Sequence, residues 1–174
     1  FEVVGLVRVE GEEGLKPDFN KNYDHIPVLP LEEALAIPGL EAAVIETEDR
    51  NLVSYARVAA EKGLHVFMDK PGSQDTEQFH RMCNIAKEKD LVLCLGYMYR
   101  YNPYVQEILQ RVKAGELGRI LSVEAQMNCS HPATVRQWLQ DFPGGMMFFL
   151  GCHLVDLILQ IKGAPDNIIP LNRC

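Results

Sequence analysis

Short apolar runs alternate with amphipathic stretches along the first half of the chain. Phe1 to Arg8 reads as a buried strand, Gly11 to Asn22 as a polar loop, and Leu31 to Ala36 as a short helix stopped by Pro38-Gly39. Ala42 to Glu46 is a short apolar strand. Asn51 to Lys62 follows as a helix, with Leu52, Tyr55, Ala56, Ala59 and Ala60 on one face and Gly63 as its stop. The strand Leu64 to Met68 ends at Lys70-Pro71-Gly72. Asp75 then has the chemistry of a helix N-cap, with Gln78 three residues on as its capping-box partner. The helix it starts carries Phe79, Met82, Cys83 and Ala86 at helical spacing, with Ile85 flanking. Leu91 to Leu95 is a further apolar strand running into Gly96, and Pro103 suits the first turn of a helix reaching Ala114-Gly115.

Strands apolar on both faces, alternating with amphipathic helices, predict an α/β fold with a parallel sheet covered on both sides. After Gly118 the pattern changes. Arg119 to Met127 alternates apolar and polar positions, as expected of a strand in an open sheet with one wet face. Gly144-Gly145 then leads into a helix through Leu159, ended by Gly163 and Pro165. There is no internal repeat and no low-complexity segment.

Composition narrows the function classes. The 174 residues are 47% hydrophobic with a net charge of −7, and no Lys/Arg cluster offers the basic face that nucleic-acid binding requires. The most apolar stretch, Met146 to Ile161, is too short for a membrane span and carries His153 and Asp156. No basic leader with a small-residue cleavage site opens the chain, so a cytoplasmic protein without membrane attachment is expected. The five cysteines are scattered with no C-x-x-C pair, which predicts structural thiols and no metal site.

In open α/β sheets ligands bind beyond the carboxyl ends of the strands. Three such ends bring chemistry to one edge: Thr47-Glu48-Asp49, Asp69-Lys70-Pro71 and Gly96-Tyr97-Met98-Tyr99-Arg100. An ammonium such as that of Lys70 can hydrogen-bond a hydroxyl and stabilise a developing alkoxide. The Lys70–Pro71 bond is a candidate for the cis isomer.

Gly63 to Pro71, G-L-H-V-F-M-D-K-P, resembles the G-K-H-V-x-x-E-K-P signature of the glucose–fructose oxidoreductase and inositol dehydrogenase (Gfo/Idh/MocA) family. Gly96 to Pro103 is similar to its G-Y-x-x-R-F-x-P segment, and Gly115 to Ile120 to its entry into the second domain. Gly144-Gly145 followed by Gly151-Cys152-His153-Leu154-Val155-Asp156 is similar to its G-G-x-x-x-D-x-G-x-H-x-x-D helix. Four motifs in order span essentially the whole chain.

The resemblance implies a Rossmann-type doubly wound parallel sheet, followed by the start of an α+β substrate domain with an open mixed or antiparallel sheet. The expected division is 1–103, a partial dinucleotide-binding domain, and 104–174, the beginning of a substrate and oligomerisation domain. It implies NAD or NADP as cofactor and hydride transfer to or from a hydroxyl or ketone carbon of a sugar, cyclitol or related polyol. A homo-oligomer, dimer or tetramer, is implied for the full-length protein.

By the same resemblance, Lys70 and His153 are the catalytic candidates. Thr47, Glu48, Asp69, Lys70, Pro71 and Arg100 are the cofactor-binding candidates, and Tyr97, Asn128, His153 and Asp156 the substrate-binding ones. Arg8 stands where an arginine could accommodate the 2′-phosphate of NADP, although Glu10 and a solvent-facing side chain argue against that role.

There are departures from the family pattern. No G-x-G-x-x-G turn is present, so the chain is expected to be a fragment that begins at the family's second strand and stops inside its second domain. Leu52 and Glu48 stand where relatives often carry histidine and proline. Phe149 stands where the pattern has an aspartate one turn before the histidine, and phenylalanine can neither relay a proton nor pair with Lys70. Two further readings stay open: an NAD-dependent glycoside hydrolase of the same family, and a binding or assembly protein that has lost catalysis.

Overall fold

A computed structural model describes residues 1–9, 11, 25–141 and 143–170. Most of the expected Gly11–Asn22 loop, and Glu10, Gly14 and Cys174, lie outside the described residues. The chain divides into two compact units, Phe1–Cys94 and Leu95–Cys174.

In the first unit, α1 (Leu31–Leu35), β1 (Ala42–Ile45), α2 (Asp49–Glu61), β2 (His65–Met68), α3 (Thr76–Glu88) and β3 (Leu93–Leu95) follow one another. The strands form a sheet of order β1-β2-β3, and β1 runs parallel to β2 with Ala43 opposite Val66 and Ile45 opposite Met68. Period-two alternation sends Val66 and Met68 inward, against Leu52, Val53, Ala56, Ala59 and Ala60 of α2 and Met82 and Ala86 of α3. Leu52, Met68 and Met82 are the largest side chains wholly removed from solvent. The alanines of α2 let that helix approach closely, because a small side chain keeps neighbouring backbones near. Tyr55, expected on the buried face, is only half-buried, and Val53 takes that place.

Both helices lie on the same side of the sheet. On the opposite face Val44 and Phe67 are exposed among the described residues. The strand order gives the reason. Crossovers that advance one way across a sheet, all of the same hand, leave their helices on one side.

Phe1–Arg8 is likewise not the buried strand expected. It makes a single parallel bridge, Leu6 with Val28, held by Leu6 N–H to Pro27 O at 2.9 Å and Leu29 N–H to Leu6 O at 2.8 Å. Phe1, Val3 and Val4 are exposed, since no described element covers them.

The cap of α3 forms as expected. Asp75 accepts from the Gln78 N–H at 3.0 Å, and the Gln78 side-chain amide donates to the other carboxylate oxygen at 2.8 Å. Ser73 Oγ accepts the Asp75 N–H at 2.9 Å and completes the cap. Between β2 and β3, Val66 N–H donates to Val92 O, and His65 Nδ1 accepts the Val92 N–H at 3.0 Å.

The second unit holds a 3₁₀ turn (Met98–Tyr101), α4 (Pro103–Lys113), α5 (Ala133–Trp138), a 3₁₀ turn (Leu139–Asp141), a π-turn (Met147–Gly151) and α6 (Cys152–Lys162). Asn102 caps α4, accepting from Tyr104 N–H at 2.9 Å with Pro103 at the first helical position. Arg119–Met127, expected as a strand, pairs with no described segment. An alternating pattern forms a ladder only where a partner strand supplies one, and Leu121 is instead exposed. Lys162 Nζ donates to Ile120 O at 2.8 Å, which ties this segment to the end of α6. Helix α5 was not legible in the sequence.

Candidate functional site

In the first unit the candidate residues sit where β1 and β2 end and α2 begins. Asp69 N–H donates to Ile45 O at 3.1 Å, which sets the two strand ends side by side. The Lys70–Pro71 peptide is cis. Lys70 is drawn inward: its side chain is 12% exposed, and its Nζ lies 4.0 Å from Asp69 Oδ2.

Two further carboxylates share this corner. Burial raises the pKa of Glu46 above the ordinary range, the charge of Asp69 adds to the rise, and Lys70 opposes it. Asp49 is raised in the same way by burial, with Lys70 opposing and Asp69 and Glu48 reinforcing. Asp49 Oδ2 is buried and has no hydrogen-bond partner among the described residues. Thr47 Oγ1 donates to Glu48 O at 3.0 Å, and Glu48 pairs with Arg50 at 2.9 Å, so both candidates are engaged locally. A cleft of about 270 Å³ opens between the first turns of α2 and α3, with Asp49, Arg50, Ser73 and Asp75 in its walls.

Glu46 is not singled out by the sequence motifs, and Asp49 enters there only as part of a strand end. The signal was present: a glutamate directly following the apolar run Ala42–Ile45 must sit at a strand terminus, where burial is partial.

In the second unit, Tyr97, Arg100, His153 and Asp156 come together. The rings of Tyr97 and Tyr99 meet His153 edge-on, with centroids at 5.8 and 5.0 Å. His153 and Asp156, three residues apart on α6, are both buried. Arg100 Nε donates to both oxygens of Asp156, at 3.1 and 2.9 Å, and Nη2 donates to Oδ1. The same guanidinium lies over the Tyr97 ring, 5.4 Å from its centroid. Burial pushes the Tyr97 hydroxyl up to about 12, with Cys152 and Asp156 adding and Arg100 opposing. Hydrogen bonding to Asp156 raises the pKa of Arg100 and holds its charge in place.

Asn128 stands apart. It is exposed, and its side-chain carbonyl accepts from Gln126 at 3.1 Å. Phe149 lies in the π-turn, edge-on to Trp138 at 5.2 Å and to His131 at 6.4 Å. The turn depends on two glycines. Gly144 has φ +86°, and a Cβ on Gly151 would come within 2.8 Å of Met147 Sδ.

Residues 1–97 match the model of an oxidoreductase family with an NAD-binding Rossmann fold, and residues 105–169 match the Gfo/Idh/MocA C-terminal domain. The chain is 27% identical over 139 residues to D-xylose 1-dehydrogenase (NADP(+)) 2 of Haloferax volcanii, covering 79% of this chain and 42% of that protein. It is 30% identical over 132 residues to scyllo-inositol 2-dehydrogenase (NAD(+)) of Bacillus subtilis, covering 76% and 38% respectively. The crystal structure of myo-inositol 2-dehydrogenase from Lactobacillus plantarum superposes with a TM-score of 0.72 over 93% of this chain and 49% of that one. At 17% identity, that likeness shows the fold alone. The chain thus spans less than half the length of each of these proteins. With both family domains matched in order along its length, this chain belongs to the Gfo/Idh/MocA oxidoreductase family, whose first domain is an NAD-binding Rossmann fold.

Proposed function

We propose that the protein carrying this chain is an NAD(P)-dependent dehydrogenase acting on a sugar, cyclitol or related polyol. The observation that carries the reading is Lys70: a nearly buried cation at a strand end of the parallel sheet, inside the segment that matches the NAD-binding model. The relatives named above, a xylose dehydrogenase and an inositol dehydrogenase, support the substrate class.

The donor set at Lys70 fits the hydroxyl-bearing part of a nicotinamide dinucleotide. Asp49 Oδ2 is a buried acceptor without a donor among the described residues, and Asp69 places a second carboxylate beside Lys70. Carboxylates accept from ribose hydroxyls and repel phosphates, so Asp49, Asp69 and Lys70 would hold the nicotinamide riboside end. When bound, the cofactor supplies hydride transfer. Lys70 donates a hydrogen bond to the substrate oxygen and stabilises its negative charge. His153, buried among Tyr97 and Tyr99, is the second proton-handling group, and the Arg100–Asp156 pair fixes the helix that carries it. Thr47, Glu48 and Pro71 shape the cofactor side, and Tyr97 lines the substrate side. Homo-oligomers are proposed for the whole protein.

The test is cofactor reduction, followed by absorbance, with xylose, myo-inositol and scyllo-inositol as substrates. Turnover that disappears in Lys70→Met while calorimetric NAD(P) binding persists supports the proposal. Phe149 favours a second reading, a binding protein without hydride transfer. Cofactor binding with no cofactor reduction by any polyol would establish that reading, and no cofactor binding at all would sink the dehydrogenase.

A further inference from the structure

The second unit contains a group of side chains that hydride transfer does not use. Trp138 meets Phe149 at 5.2 Å with an interplanar angle of 84°, and His131 meets the same ring at 6.4 Å and 63°. All three are half-buried, which leaves part of each ring open. His131 Nε2 is buried and has no hydrogen-bond partner among the described residues.

Phe149, in the π-turn that runs directly into α6, is four residues before His153, the proposed proton-handling histidine. A carboxylate at this position would call for a hydroxyl opposite it. A phenyl ring edge-on to an indole cannot accept such a hydrogen bond, and a hydroxyl pressed against it would be desolvated without compensation. A methyl or methylene group loses nothing there and gains contact.

We propose that His131, Trp138 and Phe149 form an aromatic subsite for the apolar edge of a ring polyol, a deoxy carbon or methyl group, with His131 Nε2 hydrogen-bonding a neighbouring hydroxyl. This rests on the dehydrogenase reading and narrows its substrate class from fully hydroxylated sugars to deoxy sugars.

Trp138 is the only tryptophan of this chain, and the difference in emission between the full protein and its Trp138→Phe variant reports on the group. The probes are matched pairs differing by one hydroxyl: L-fucose with L-galactose, L-rhamnose with L-mannose, and 6-deoxy-D-glucose with D-glucose. Each is titrated against the full protein, with Trp138→Phe subtracted as background. In at least one pair the deoxy member is expected to half-saturate at a concentration about five-fold lower or more, the lower end of the cost of stranding one buried polar group. Phe149→Asp is expected to remove or invert that preference, and Phe149→Leu to keep it. His131→Ala is expected to weaken both members of the pair.

Equal half-saturation within every pair, or no Trp138 response to any probe, overturns the inference. Emission requires no turnover, so the two proposals fail separately. A deoxy preference without cofactor reduction leaves the subsite standing and removes the dehydrogenase. Polyol oxidation with no deoxy preference does the reverse.

Discussion

Arg100 grips the carboxylate of Asp156 across 56 residues of sequence, with Nε donating to both of its oxygens. The two ends differ in environment: the Asp156 side chain is 8% exposed and the Arg100 side chain 46%. The aspartate therefore depends on the arginine more than the reverse. Removing Arg100 leaves a buried carboxylate without its counter-charge, which costs about 2–3 kcal/mol when the cation is itself half in water. Arg100→Ala is expected to lower the urea midpoint accordingly. Arg100→Lys should recover only part of the loss, because a single ammonium cannot match two carboxylate oxygens at once.

Lys70 gives the sharpest catalytic prediction. Lys70→Met keeps the length of the chain and removes the charge and its donors, so polyol oxidation by the full protein should fall roughly a hundred- to ten-thousand-fold. Steady-state rates measured beside calorimetric cofactor titrations check this. A fall in affinity equal to the fall in rate would make Lys70 a binding residue only.

Glu46 and Asp49 predict a pH dependence of stability. Burial raises both folded-state pKa values above their ordinary 4.5 and 3.8, with the charge of Asp69 contributing at each and that of Lys70 opposing. Folding favours their protonated forms. Their contribution is present below the ordinary values and is lost as pH rises through the raised ones. Urea denaturation from about pH 3 to about pH 7 should show Glu46→Gln gaining stability relative to the native sequence across that rise. A constant difference would remove the effect.

Asp75 predicts the opposite sign. Hydrogen bonds from the Gln78 backbone and side chain lower its pKa below 3.8. Its contribution is present above that value and is lost as pH falls through the lowered one. Asp75→Ala should reduce the thermal midpoint at neutral pH and converge with the native protein in acid.

Gly151 and Met147 should be coupled. A Cβ at Gly151 meets Met147 Sδ at 2.8 Å and Cε at 3.0 Å. Because a methionine side chain can swing aside, Gly151→Ala is expected to cost about 1 kcal/mol. Adding Met147→Ala should cancel most of that, and a double-mutant cycle reads the coupling. Additive effects would place the cost in the π-turn backbone.

Most of what lies close along the chain was legible in the sequence. Helix α2, α3 with its Asp75–Gln78 cap, α4 behind Pro103 and α6 ending at Gly163 follow from periodicity and capping, since the groups that decide them are within a few residues of one another. The motifs around Lys70 and His153 were legible for the same reason, and so was the family.

The tertiary structure decided what depends on partners distant in sequence. Phe1–Arg8 and Arg119–Met127 have strand-like patterns, but a strand exists only through its neighbours, and each lacks a ladder among the described residues. The strand order decided that α2 and α3 share one side of the sheet. Folding also decided that Asp156 meets Arg100, that Glu46 and Asp49 crowd the corner of Lys70, and that Phe149 lies between Trp138 and His131. Each is a non-local contact fixed by how the elements pack. Local sequence sets propensity and caps, whereas burial and charge environment arise only once distant residues have met.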